Sequence, residues 1–71
     1  MNDLLRSMRE QIPVDIIYVS NKNIFTKRRI LVKSMGEQLI RAYYFYRKLY
    51  RTFKKEQILS TQLVYQSQQS S

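Results

Sequence analysis

One segment of this chain, residues 38–59 (QLIRAYYFYRKLYRTFKKEQIL), holds the residue types best suited to binding a ligand. Six aromatic and six basic side chains occur together there, and the only acid is Glu56. Aromatic faces stack on flat groups and cations attract anions, so this mixture suits a ligand that is both flat and anionic. Nucleic acid fits that description better than most partners.

The positive charge is concentrated in the middle of the chain. The net charge is +8, and eleven of the thirteen Lys and Arg residues lie between Lys22 and Lys55, where Glu37 is the only acid. Such clustering raises the local concentration of anions and speeds their encounter. Since a single surface Lys is more often merely solvated, the prediction of an anionic partner rests on the clustering.

Several kinds of chemistry lack the residues they need. The chain has no Cys and no His, the usual thiolate and imidazole ligands and the usual general base. Its five acids are scattered, and its one glycine cannot form a Gly-rich phosphate loop. We therefore expect no enzyme, cofactor or metal. The apolar runs are too short to span a bilayer or to form a signal peptide, which predicts a cytoplasmic location without integral membrane association.

Hydrophobic periodicity predicts the elements that position the segment. A helix is predicted over residues 2–11, ended by Pro13, with one apolar face formed by Leu4, Leu5, Met8 and Ile12. Runs of β-branched residues predict strands over residues 14–19 and 25–33, and the second offers the candidate core residues Phe25, Ile30 and Val32.

Polar clusters predict the turns and the end of the ordered chain. Turns are expected at residues 20–23 and 34–37, and Gly36 in the second can take a positive φ. A strand pattern returns at residues 58–65. The polar tail QSQQSS, residues 66–71, has nothing to bury and is expected to be disordered.

Residues 38–55 fit both a strand and a helix. As a strand they place one set of residues on one face, Leu39, Arg41, Tyr43 and Phe45, and a second set on the other, Ile40, Ala42, Tyr44 and Tyr46. Tyr44 and Tyr46 are candidate core residues. As a helix they form the apolar stripe of a basic amphipathic helix. The aromatic run favours strand whereas Arg, Lys, Leu and Gln favour helix, so periodicity leaves the choice open.

The same segment resembles the WYL domain, a module of bacterial transcription regulators. That family has the pattern W-Y-L-x-A-Y-C, a turn, R-x-F and an acidic-basic-Ile group, and the matching positions here are QLIRAYY (38–44), Arg47, Arg51-Thr52-Phe53 and Glu56-Gln57-Ile58. Upstream, an R-x-V-x-P strand is matched by Arg28, Ile30 and Val32. The departures are Gln38 and Leu39 for the name-giving Trp and Tyr, Val32 for Pro, and Gln57 for a basic residue.

The resemblance spans residues 12–64 and implies a mainly β fold, a small SH3-like or Sm-like five-stranded barrel with one N-terminal helix. The helix would lie within residues 1–12 and the barrel within 13–65, with strands at 14–19, 25–33, 38–46, 50–54 and 59–65 and a helical turn at 55–57. WYL domains usually sit between a winged DNA-binding domain and a C-terminal extension. We therefore expect this chain of 71 residues to be a stand-alone sensor, an accessory subunit or a diverged relative.

The resemblance also implies that basic residues on one barrel face bind a regulatory ligand, with nucleic acid the foremost class. Carried over by position, the ligand-binding residues are Arg28, Tyr43, Arg47 and Arg51, and the strand pattern adds Arg41 beside Tyr43. We expect the arginines at 28, 47 and 51 to converge with Tyr43 on one face. There the guanidinium groups would donate hydrogen bonds to phosphate oxygens, and the ring would stack on a base of single-stranded nucleic acid.

Two other classes of function stay open. One is a protein-interaction module that uses exposed aromatic residues and sheet edges. The other is a peripheral membrane peptide, which requires residues 38–55 to form a basic amphipathic helix.

Overall fold

The computed structural model describes residues 2–64, which form one α-helix and a single antiparallel sheet of five strands. The elements are α1 (Asn2–Glu10), β1 (Val14–Val19), β2 (Phe25–Met35), β3 (Leu39–Tyr44), β4 (Leu49–Lys54), a 3₁₀ turn (Lys55–Gln57) and β5 (Ile58–Leu63). The strand order is β4-β3-β2-β1-β5, which makes β4 and β5 the two edges of an open sheet. The prediction of a mainly β fold with five strands and one N-terminal helix is confirmed. The tail predicted at residues 66–71 lies outside the described residues.

The sheet curves strongly around its core. In a flat sheet β1 and β4 would be about 14 Å apart, three strand spacings, yet the rings of Tyr18 and Phe53 are 5.2 Å apart and meet edge to face. The Tyr18 hydroxyl also accepts the backbone N–H of Lys54 at 3.4 Å and donates to Gln57 Oε1 at 2.8 Å. The concave side therefore encloses a core of buried apolar residues: Leu4, Val14, Ile16, Ile30, Val32, Ile40, Ala42, Tyr44, Phe53 and Ile58.

Helix α1 packs on this core through Leu4 and Ser7, both fully buried. Strand β1 begins at Val14, which pairs with Ile30 of β2. The N–H of Val32 points to the same side of β2 as the N–H of Ile30, but it lies beyond the end of β1. Ser7 Oγ accepts that N–H at 3.3 Å, so this buried hydroxyl replaces a missing strand partner.

Three predictions about single residues are wrong. Phe25, a predicted core residue, is 62 % exposed. Tyr46 is 81 % exposed, because β3 ends at Tyr44 and Tyr46 lies in the turn that follows. Gly36 does not take a positive φ. Its N–H donates to Leu39 O at 2.7 Å, and a Cβ on Gly36 would lie 3.3 Å from that oxygen, so the glycine permits a close approach of two backbones.

Residues 38–55 form β3, a tight turn and β4, so the amphipathic-helix alternative is wrong. The aromatic run therefore belongs to strands, as the strand reading predicted, and the predicted helical turn at Lys55–Gln57 is confirmed. Within residues 2–64, no helix has the length and apolar character needed to cross a bilayer.

Candidate nucleic-acid interface

The outer, convex side of the β3–β4 hairpin carries a row of large side chains. Alternation along β3 buries Ile40, Ala42 and Tyr44 and turns the intervening residues outward. The strand register aligns Leu31, Tyr43 and Tyr50 directly across β2, β3 and β4. Tyr50 stays 53 % exposed, so the row is accessible from solvent.

Four residues on this side form what we call the outer aromatic face: Arg41, Tyr43, Phe45 and Tyr50. Tyr43 is its centre, because its ring lies 5.3 Å from the ring of Phe45 and 5.3 Å from that of Tyr50, both edge to face. The Arg41 guanidinium carbon lies 5.8 Å from the centroid of the Tyr50 ring. These contacts hold the rings and the cation in place before a ligand arrives, which reduces the entropy lost on binding.

A second group of aromatic and basic residues lies at the turn end of the hairpin. The Arg28 guanidinium carbon is 5.1 Å from the Tyr44 ring and 5.7 Å from the Tyr18 ring, and its Nε donates to Thr26 Oγ1 at 3.1 Å. Arg28 helps to line a groove of about 530 Å³, which we call the hairpin groove. Its lining residues are Asp15, Thr26, Lys27, Arg28, Arg29, Tyr44 and Tyr46.

Asp15 neutralises part of this groove. Its carboxylate accepts two hydrogen bonds from Arg29, at 2.8 and 3.1 Å, and lies 3.8 Å from Lys27 Nζ. The hydrogen bond from Arg29 is the main reason that the pKa of Asp15 lies below its usual value, although partial burial acts in the opposite direction. The same contact raises the pKa of Arg29. The other ion pair among residues 2–64 joins Arg6 to Glu10, so the arginines at 28, 41, 47 and 51 have no carboxylate partner there.

The structure brings together only some of the residues singled out from the sequence. Arg41 and Tyr43 share the outer face, as expected, and Arg47 lies at the exposed turn with its guanidinium carbon 6.0 Å from the Tyr46 ring. Arg51 lies opposite Ala42, on the other side of the sheet from Tyr43, and Arg28 packs on core residue Tyr44. The expected convergence of the arginines at 28, 47 and 51 with Tyr43 is therefore wrong.

Sequence reasoning missed Tyr50 as a member of the face, whereas strand alternation already placed Phe45 on the side of Arg41 and Tyr43. Tyr50 lies in the aromatic-basic segment, and its position on the face follows from its pairing with Tyr43. That pairing depends on the position of the turn, which lies between Tyr44 and Leu49. A sequence prediction that placed the turn there would have set the register of the hairpin and identified Tyr50.

A scan against models of known protein families finds no match to this chain, and a search of curated proteins finds no significant relative.

Among residues 2–64, no three His, Cys, Asp or Glu side chains lie close enough together to hold a metal ion. The outer aromatic face offers non-covalent chemistry: stacking on ring faces, attraction of anions and hydrogen bonding by guanidinium groups.

Proposed function

We propose that this chain is a small WYL-like binding module whose outer aromatic face binds single-stranded nucleic acid or a similar flat anionic ligand. The observation that carries the proposal is the position of Arg41 and Tyr43 on one exposed face, with Tyr50 in contact with both. Bases stack on the exposed rings, and the Arg41 guanidinium donates to phosphate oxygens.

The proposal includes an SH3-like barrel. It is supported by the strand order, by the 3₁₀ turn that connects the two edge strands, and by the contact of Tyr18 with Phe53 across the curved sheet. By resemblance to WYL domains, the module acts in the bacterial cytoplasm as a ligand sensor in transcription regulation.

The unpaired cations have a separate role in this proposal. Arg47 and Arg51 lie outside the outer aromatic face, and neither has a carboxylate partner within residues 2–64. They raise the local concentration of a polyanion and speed its encounter, whereas Arg41 and the rings hold it in one place.

The salt dependence of binding tests this division of roles. Fluorescence anisotropy of a labelled single-stranded oligonucleotide is expected to show a log–log salt slope of about −0.7 for each phosphate neutralised. Because Arg41 contacts a phosphate, Arg41→Ala is expected to weaken binding and to reduce the slope by about 0.7 in magnitude.

Lys22→Ala is the matched control, since it removes one charge from the β1–β2 loop. That loop precedes β2, whereas Arg41 lies opposite Ser34 near the other end of β2. We expect Lys22→Ala to leave the slope nearly unchanged. Equal losses for the two variants would mean that net charge alone attracts the oligonucleotide, and absence of binding at low salt would refute the proposal.

A further inference from the structure

Strand β2 extends beyond its neighbour on one side. It pairs with β1 from Phe25 to Ile30 and with β3 only from Ile30 onward. The last hydrogen bond on the β3 side runs from the Phe45 N–H to the Arg29 carbonyl oxygen, at 3.2 Å. Before Arg29, therefore, the hairpin-side edge of β2 has no neighbouring strand among the described residues.

Alternation along the strand identifies the backbone groups at this open edge. The Arg29 carbonyl faces the hairpin, so the N–H and C=O groups of Lys27 and Phe25 face the same way. The backbone N–H and C=O groups of Thr26 and Arg28, by contrast, face β1 and pair with it. Lys27 thus presents a donor and an acceptor side by side, which is the pattern that a further strand requires.

The hairpin groove runs beside this open edge and carries a cation that is not paired with a carboxylate among residues 2–64. Arg28 is half-buried, its guanidinium packs on two tyrosine rings, and it has no carboxylate partner among residues 2–64. Tyr46, which lines the groove, is mostly exposed. Among the described residues that line the groove, Asp15 is the only acid, and it is already paired with Arg29 and Lys27.

We propose that this open edge of β2 binds an extended acidic segment of a partner protein as an additional strand. Its backbone pairs with Lys27, one of its carboxylates accepts hydrogen bonds from Arg28, and a neighbouring side chain packs on Tyr46. This site is separate from the outer aromatic face and does not depend on the function proposed for that face.

The chemistry of the edge favours a peptide over a nucleic acid or a second copy of this chain. The phosphates of a nucleic acid have no donors to match the outward-facing carbonyl of Lys27, and that oxygen repels them. A second copy of this chain would bring the same β2 edge, with its Lys27, Arg28 and Arg29, against like charges, which is unfavourable. An acidic peptide offers both an alternating backbone and the opposite charge.

The test uses the full chain as bait for a display library of random eight-residue peptides. We expect selected peptides to be rich in Asp, Glu and β-branched residues. Their affinity is expected to fall about 10- to 100-fold in Arg28→Gln, because a charge-assisted hydrogen bond is lost.

Lys27→Pro and Lys27→Ala form the matched pair for the backbone contact. Both remove the same charge, but only Pro removes the outward N–H, and an edge position that makes no ladder bond tolerates Pro. We expect Lys27→Pro to bind the selected peptides about tenfold more weakly than Lys27→Ala. If the Pro variant does not fold, slower hydrogen exchange of the Lys27 amide on peptide addition to the native chain gives the same information.

Three outcomes would overturn the proposal. The first is a selection with no enrichment of acidic peptides, and the second is peptide binding that neither reduces exchange at Lys27 nor responds to Arg28→Gln. The third is a dimer of the free chain that dissociates in Lys27→Ala as well as in Arg28→Gln, since the occupant would then be a second copy.

Discussion

Replacing Phe53 by Ala is expected to lower the free energy of unfolding by about 3–5 kcal/mol. Phe53 is 1 % exposed, and its ring contacts Tyr18 of β1 and Tyr44 of β3. The substitution therefore leaves a cavity where Phe53 meets Tyr18 and Tyr44 across the curved sheet. A domain this small has little stability to spare, so we expect a large unfolded fraction at ordinary temperature.

Phe25→Ala is the matched control for Phe53→Ala, since it makes the same chemical change on the same sheet. Phe25 is largely exposed, so its replacement is expected to cost less than about 1 kcal/mol. Equilibrium urea denaturation followed by circular dichroism measures both changes. Similar losses for the two variants would show that Phe53 does not lie in the core.

Tyr43→Ala is expected to weaken binding of a single-stranded oligonucleotide by about 1–3 kcal/mol, or roughly 5- to 150-fold. The ring of Tyr43 is the centre of the outer aromatic face, and it orients Phe45 and Tyr50 through edge-to-face contacts. Because no charge is removed, the salt slope is expected to stay nearly unchanged, in contrast to Arg41→Ala.

Tyr46→Ala is the control for this prediction, because it removes a tyrosine that is exposed in the hairpin groove. We expect it to change oligonucleotide affinity by less than about threefold. Thermal unfolding of both variants shows whether a loss of binding reflects a loss of fold. If Tyr46→Ala weakens binding as much as Tyr43→Ala, the outer aromatic face is not the site.

The strands could be predicted because local signals and the fold agree there. The β-branched run Val14–Val19 is bounded by Pro13 and by a polar turn, and its bounds match β1. Phe53 could be placed in the core because it alternates with Thr52 in a short strand. In each case the information lies within a few residues of the element.

The composition of the site could not be predicted in the same way, because it depends on register between strands. The turn begins after Tyr44, where the Lys48 N–H donates to Tyr44 O at 2.8 Å and Lys48 takes a φ of 55°. This turn pairs Tyr43 with Tyr50 and leaves Arg51 opposite Ala42. Since side chains alternate with period two, a shift of one residue moves an arginine to the opposite side of the sheet.

A chemical-shift titration of the isotope-labelled chain with a single-stranded oligonucleotide tests the central claim most directly. We predict that the largest changes occur at Arg41, Tyr43, Phe45 and Tyr50, that added salt reverses them, and that Lys27 and Tyr46 change little. Changes confined to the hairpin groove, or no changes at low salt, would contradict the claim that the outer aromatic face binds nucleic acid.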